Sequence, residues 1–161
     1  MSLYINLIQN IVKFSNLETQ IKLCSLCQEY YYLLKIFKLD ASNKSNITQE
    51  IIEQNKFNKL RELDANNNEN INNVNFAKDT LEILNVSGLC GITQEGINQL
   101  TKLKNLNASN NPNINDINFA KNTLEILDIS GRYCNIKQEG IQQLRKLKIL
   151  NTKDNKKIKI Y

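Results

Sequence analysis

Residues 59–88 read KLRELDANNNENINNVNFAKDTLEILNVSG, and residues 102–131 read KLKNLNASNNPNINDINFAKNTLEILDISG. The second line follows the first by 43 residues, and 20 of the 30 aligned positions are identical. A fixed period of this size marks a solenoid. One unit cannot bury its apolar side alone and must stack against its neighbours.

A finer period divides the line. Leu followed by Asp or Asn recurs at Leu39-Asp40, Leu63-Asp64, Leu84-Asn85, Leu106-Asn107, Leu127-Asp128 and Leu150-Asn151, with gaps of 24, 21, 22, 21 and 23 residues. Around most of these pairs the text is L-x-x-L-x-[AVI], as in Leu60, Leu63 and Ala65, or Leu124, Leu127 and Ile129. Alternation of this kind predicts a short strand with its apolar side turned inward. A unit of 21–24 residues with this text resembles the leucine-rich repeat, over roughly residues 36–155.

Two flavours alternate. One carries Asn at its ninth position, Asn68 after Leu60 and Asn111 after Leu103. The resemblance implies that this Asn bonds free backbone groups in the turn beyond the strand. The other reads LEILNVSGLCGITQEGINQL at 81–100 and LEILDISGRYCNIKQEGIQQL at 124–144, and is similar to the cysteine-containing subclass. A fragment of a third copy, NITQEII, stands at 46–52. Ile97, Leu100 and Leu103, like Ile141, Leu144 and Leu147, predict helices on the outer face after each Cys. Glu95 and Glu139 then suit a first helical turn, and Gly96 and Gly140 let the helix approach the strand layer. The Asn runs, Pro112 and the I-N-x-[VI]-N-F-A text predict loop or a single turn, with Phe76 and Phe119 filling the core there.

Composition adds limits. Asn occurs 27 times, Ile 21 times, and Lys outnumbers Arg 18 to 3. AT-rich codons encode Asn, Ile and Lys, so this bias reads as genomic, and the net charge of +5 as a solvated lysine surface. Only Lys153, Lys156, Lys157 and Lys159 cluster, so nucleic acid is not an expected partner. The start of the chain lacks the basic, apolar text of a secretory signal, and no run of 18 apolar residues occurs. A soluble intracellular protein, cytoplasmic or nuclear, is expected.

Four cysteines and no histidine narrow the chemistry. Cys24 and Cys27 form a C-x-x-C, a spacing that redox and zinc sites share. Cys90 and Cys134 occupy equivalent positions two repeats apart. Parallel strands stand about 4.8 Å apart, so two steps span about 10 Å. A disulfide needs Cα atoms within about 7 Å. Buried free thiols are expected. Without imidazole, a nucleophile motif or metal-ligand spacing, neither an enzyme nor a bound cofactor or metal is expected.

The first 38 residues do not repeat. Leu3, Leu7, Ile8, Ile11 and Phe14 form a helical stripe, and Ser15 with Glu18 makes a capping box for a second helix. A third is predicted from about Cys27 to Phe37. LYINLIQNIVKF at 3–14 and LCSLCQEYYYL at 23–33 resemble the two halves of an F-box, with Cys27 on the family cysteine and Tyr30 on its tryptophan. Tyr4, Asn6 and Tyr30 depart from that pattern, which has Pro, an acid and Trp there. The resemblance implies a substrate-recruiting adaptor of a Skp–cullin–F-box ubiquitin ligase. Leu3, Leu7, Ile8, Ile11, Leu23, Cys27 and Tyr30 then serve as adaptor-binding or F-box-core residues. The alternative is a plain helical cap on a repeat module with no ubiquitin-ligase link.

The expected architecture is therefore α/β. Residues 1–38 form a three-helix F-box-like domain. Residues 39–161 form a short leucine-rich-repeat solenoid, with parallel strands on the concave face and helices and loops outside. Strand residues flanking the inward Leu point to the concave side. They are Glu62, Asp64 and Asn66; Ile83, Asn85 and Ser87; Asn105, Asn107 and Ser109; Ile126, Asp128 and Ser130; and Ile149, Asn151 and Lys153. This face, mostly amide and hydroxyl with exposed isoleucines, is the candidate client-binding surface, on a chain expected to act as a monomer within a larger complex.

Overall fold

A computed structural model describes residues 35–159 and, before them, Asn10, Thr19 and Lys22, which are helical. Leu3, Leu7, Ile8, Ile11, Leu23, Cys27 and Tyr30, and hence the F-box expectation, lie outside the described residues. From Lys38 onward the chain lays down six strands: β1 (Lys38–Asp40), β2 (Glu62–Asp64), β3 (Ile83–Asn85), β4 (Asn105–Asn107), β5 (Ile126–Asp128) and β6 (Ile149–Asn151). They form one sheet in chain order, every neighbouring pair parallel. Leu39, Leu63, Leu84, Leu106, Leu127 and Leu150 pair across it in a single row.

That row is the spine of the core. Leu39, Leu63, Leu84, Leu106 and Leu127 are at most 2% exposed. Leu60, Leu81, Leu103 and Leu124 form a second buried column, and Ala41, Ala65, Val86, Ala108 and Ile129 a third. Each fully buried Leu or Ile stabilises the stack by about 2 kcal/mol in transfer terms. The column opens at its last rung, where Leu150 is 39% exposed and Leu144 and Leu147 are half-buried. Leu150 keeps the inward register its text predicts but is exposed, because no seventh rung covers it among the described residues.

The Leu-[Asp/Asn] pairs have a structural cause. In all six rungs the Asp or Asn that ends the strand accepts, through Oδ1, the N–H two residues on, at 2.9–3.1 Å. Such Asx turns bend the chain out of the sheet. One residue later, positive φ follows at Asn43, Asn67, Gly88, Asn110, Gly131 and Asp154. Left-handed backbone is available at low cost only to Gly, Asn and Asp, and these are the residues found there.

Next comes an anchor. Asn68 and Asn111 are buried, and so is Asn155, which stands at the same ninth position after Leu147 and was missed in the sequence. Asn68 donates to the carbonyls of Ala41, Lys44 and Ile47 at 3.0–3.1 Å and accepts from Asn70 N–H. Asn111 donates to Val86 O at 2.6 Å, and Asn155 donates to Ile129 O at 3.0 Å. Each amide therefore ties its rung to the one before it and satisfies backbone groups that burial would otherwise leave unpaired. Asparagine content that reads as codon bias is, at these positions, structural.

The outer arms differ from expectation. The segment around Ile97, Leu100 and Leu103 is a run of turns, and Gln138–Ile141 is a 3-10 turn. Asn75–Ala77 and Asn118–Ala120 are 3-10 turns as well. A four-residue stretch, Gln49–Ile52, is the longest α-helical segment among the described residues. The cause is competition for carbonyls. Gly96 O accepts from Val74 N–H and Glu95 O from the Asn75 amide, while Gly140 O and Glu139 O serve Ile117 and Asn118 in the same way. Carbonyls bonded across rungs have little left for amides within their own helix. Spacing by three also fits a 3-10 period better than 3.6. The apolar residues still turn inward: Ile97, Leu100 and Leu103 are buried, and Phe76 and Phe119 pack against the core. Gly96 and Gly140 permit close approach, but to the preceding Asn-rich loop: a Cβ would strike Asn72 O and Asn115 O. The dipole role expected of Glu95 and Glu139 has no long helix to act on.

Candidate interaction face

The strands turn two faces to different surroundings. Inward residues are buried, while outward ones are mostly half-buried or exposed, in straight rows. One row runs Lys38, Glu62, Ile83, Asn105, Ile126, Ile149, and the next runs Asp40, Asp64, Asn85, Asn107, Asp128, Asn151. The side chains expected on one face are thus brought together, and Lys38 and Asp40 extend the rows.

Their chemistry is uneven. Ile83, Ile126 and Ile149 are 41%, 36% and 56% exposed, apolar side chains standing in water. Glu62 is bound at 2.7 Å by Lys38. Asp64, Asn85, Asn107 and Asp128 each commit one oxygen to the Asx turn, and the second oxygen of Asp128 accepts from the Asn151 amide at 2.8 Å. Asp40 is held most firmly. Hydrogen bonds from Lys44 and Ser42 bring its pKa from 3.8 to about 2, against an opposing cost of burial. Ser87 corrects the expected set. It is 7% exposed, its hydroxyl donates to Asn85 Oδ1, and it receives the Asn66 amide at 2.7 Å, so it is not available to a partner. Asn66, Asn105, Ser109 and Ser130 remain half-exposed.

Just before the strands, charge alternates from rung to rung. Phe37, Arg61, Glu82, Lys104, Glu125 and Lys148 precede the six strands in order. Arg61 lies 5.9 Å from the Phe37 ring centre. Lys104 bonds Glu82 and Lys148 bonds Glu125, both at 2.7 Å, and each lysine lowers its partner's pKa. A groove of about 450 Å³ runs along this edge past Asp79, Lys102 and Lys146.

At the opposite edge, sequence reading missed an apolar feature. Leu89 and Tyr133 are 67% and 74% exposed. They flank Pro112, Asn67 and Asn110 in a groove of about 330 Å³. Both stand near the place where the other flavour puts its buried anchor Asn, and that exchange is the signal that could have located them.

The buried thiols do not belong to any of these surfaces. Cys90 and Cys134 are free and buried, as expected, and burial raises both pKa values, that of Cys90 to about 11. A protonated, enclosed thiol is a poor nucleophile. Among the described residues no helix is long and apolar enough to cross a membrane. Comparison with protein-family models finds no match, and comparison with curated proteins finds none either.

Proposed function

We propose that this chain is a protein-recognition module that holds a partner on the outward face of its parallel sheet. Through its F-box-like N-terminal segment it presents that partner to a Skp-family adaptor of a ubiquitin ligase. The observation that carries the binding half is the isoleucine row. Parallel sheets are as a rule covered on both faces. Here Ile83, Ile126 and Ile149 are left exposed among amides and hydroxyls that can hydrogen-bond a polar rim. The adaptor half rests on the text of residues 3–14 and 23–33. The same face on a cap-only module, with no ubiquitin link, is the second reading, favoured by Tyr4 and Tyr30 where the F-box pattern has Pro and Trp.

Affinity capture separates the two. The parent chain should retain a Skp-family adaptor and a cullin, and Leu7→Asp with Ile11→Asp should lose both while its circular dichroism is unchanged. Capture of other proteins but no adaptor supports the second reading. Ile83→Asp with Ile126→Asp should lose the client and keep the adaptor. Retention of every partner by both variants contradicts the proposal as a whole.

A further inference from the structure

From the geometry of the last rung we infer a second docking site: the free edge of β6, which takes an acidic extended segment of a partner as a parallel seventh strand. Four observations meet there. First, among the described residues the edge is unpaired in a way that every inner rung defines. Lys104 O accepts the N–H groups of Glu125 and Ile126, and Glu125 O accepts those of Lys148 and Ile149. Lys148 O is the next in this series, and β6 is the last strand of the sheet among the described residues. Likewise Asn110 N–H donates to Ser130 O and Gly131 N–H to Lys153 O, which leaves Asp154 N–H next in line.

Second, the rung beneath that edge is uncovered: Leu150 is 39% exposed, whereas the equivalent Leu127 is fully buried. Third, the end is basic. Residues 145–159 hold seven cations and one anion, more net positive charge than the +5 of the whole chain. Fourth, the cross-strand alternation has a direction. Glu82, Lys104, Glu125 and Lys148 pair as Lys104–Glu82 and Lys148–Glu125. Lys104 also acts on Glu125 of the rung after it, lowering its pKa, so the position opposite Lys148 on a following strand favours an acid, and the position opposite Leu150 an apolar residue.

That occupant has the text of the chain's own cysteine-type strand, acid-Ile-Leu-Asp, as in Glu125, Ile126, Leu127 and Asp128. A second copy meeting this edge through its own β6 would bring two basic edges together, and like charges disfavour it. Lysines also blunt sheet edges against unwanted pairing. Here they reject basic strands and leave acidic ones favoured.

The site is separate from the outward face and is tested separately. The probe is a fluorescein-labelled peptide with the sequence of residues 123–130, TLEILDIS, titrated into the full chain and followed by anisotropy. Saturable binding is expected. The peptide of residues 102–109, KLKNLNAS, should bind at least about tenfold more weakly. TLEILDIS N-methylated at its Glu and first Ile amides should lose binding, because those two N–H groups would meet Lys148 O. Lys146→Glu with Lys153→Glu, both on exposed side chains, should weaken TLEILDIS about tenfold. Ile83→Asp, three strands away, should leave it unchanged whatever becomes of the proposed client. No binding of TLEILDIS means that the lysines only blunt the edge. Equal binding of its N-methylated form means that charge alone attracts it. Either result overturns the inference.

Discussion

The two repeat flavours solve one problem with different chemistry. Both must turn the chain sharply out of a three-residue strand and then seal the gap to the preceding rung. The asparagine flavour turns at Asn67 and Asn110 and seals with a buried amide, Asn68 or Asn111, bonded to carbonyls of the rung before. The cysteine flavour turns at Gly88 and Gly131 and seals with a buried thiol. Its cross-rung ties come from backbone instead: Gly91 N–H donates to Asn68 O, and Asn135 N–H to Asn111 O. At this seal one flavour uses a buried side-chain amide and the other a packed thiol with backbone hydrogen bonds, and they alternate so that each supports the next.

The comparison is broken most severely at the amide. Asn68→Ala leaves Ile47 O and the Asn70 N–H without a partner, and takes a second bond from Ala41 O and Lys44 O, which keep the N–H groups of Lys44 and Ile47. At about 1 kcal/mol or more for each stranded group, a loss of about 2 kcal/mol or more is expected. Urea unfolding followed by circular dichroism measures it. Asn155→Ala, nearer the open end, should cost less than Asn68→Ala.

The turn residue comes next. Gly88 sits at φ +69°, and a Cβ there would strike the Asn67 side chain. Gly88→Ala should cost about 1–2 kcal/mol from backbone conformation alone. Asn67→Gly, at the same place in the other flavour, keeps the conformation but loses the acceptor for Leu89 N–H. It should cost less than Gly88→Ala, and the reverse order would show that the two turns are not equivalent.

The thiols give a smaller effect with a definite sign. Burial raises the pKa of Cys90 from 9.0 to about 11. A raised thiol pKa leaves stability intact below pH 9, the unfolded value, and removes it as pH climbs toward 11, since the unfolded chain ionises first. The melting temperature should therefore be flat in this respect up to about pH 9 and fall above it, and Cys90→Ala should reduce the slope. Alkylation of Cys90 and Cys134 at neutral pH should follow unfolding, as peptide mapping would report. At the acid end the sign is opposite. The depressed Asp40 pKa supports the fold above pH 3.8 and ceases to do so as pH falls through about 2. Because that carboxylate is exposed, Asp40→Asn should shift acid unfolding only slightly. Smallest of all, Tyr133→Ser should change stability by under about 0.5 kcal/mol, since the ring stands in solvent.

What the sequence made legible follows from which interactions are local. All six strands, their parallel order and the inward leucines can be read from Leu-[Asp/Asn] text, because alternation and register are set by neighbouring residues. The left-handed series was equally readable: Asn43, Asn67, Gly88, Asn110, Gly131 and Asp154 each stand three residues after the strand's closing Asp or Asn. Asn155 too was readable by counting from Leu147. Other features depend on partners a full rung away. The arms read as helices from their apolar spacing, yet Val74 and Asn75 take the carbonyls such helices would use. Ser87 reads as a face residue, yet the Asn66 amide from the preceding rung closes over it. Exposed Leu150 likewise reflects the lack of a following rung among the described residues, which no residue within its own rung encodes.

The central claim is that the outward face of the sheet is where a protein partner is held. A photo-crosslinking residue at Ile126, on that face, and one at Asn98, on an outer arm and also exposed, provide a direct comparison in cell extract. The account expects a discrete cross-linked species from position 126, lost when Ile83→Asp is added, and none from position 98. A cross-link from position 98 alone, or one from 126 that ignores Ile83→Asp, would contradict it.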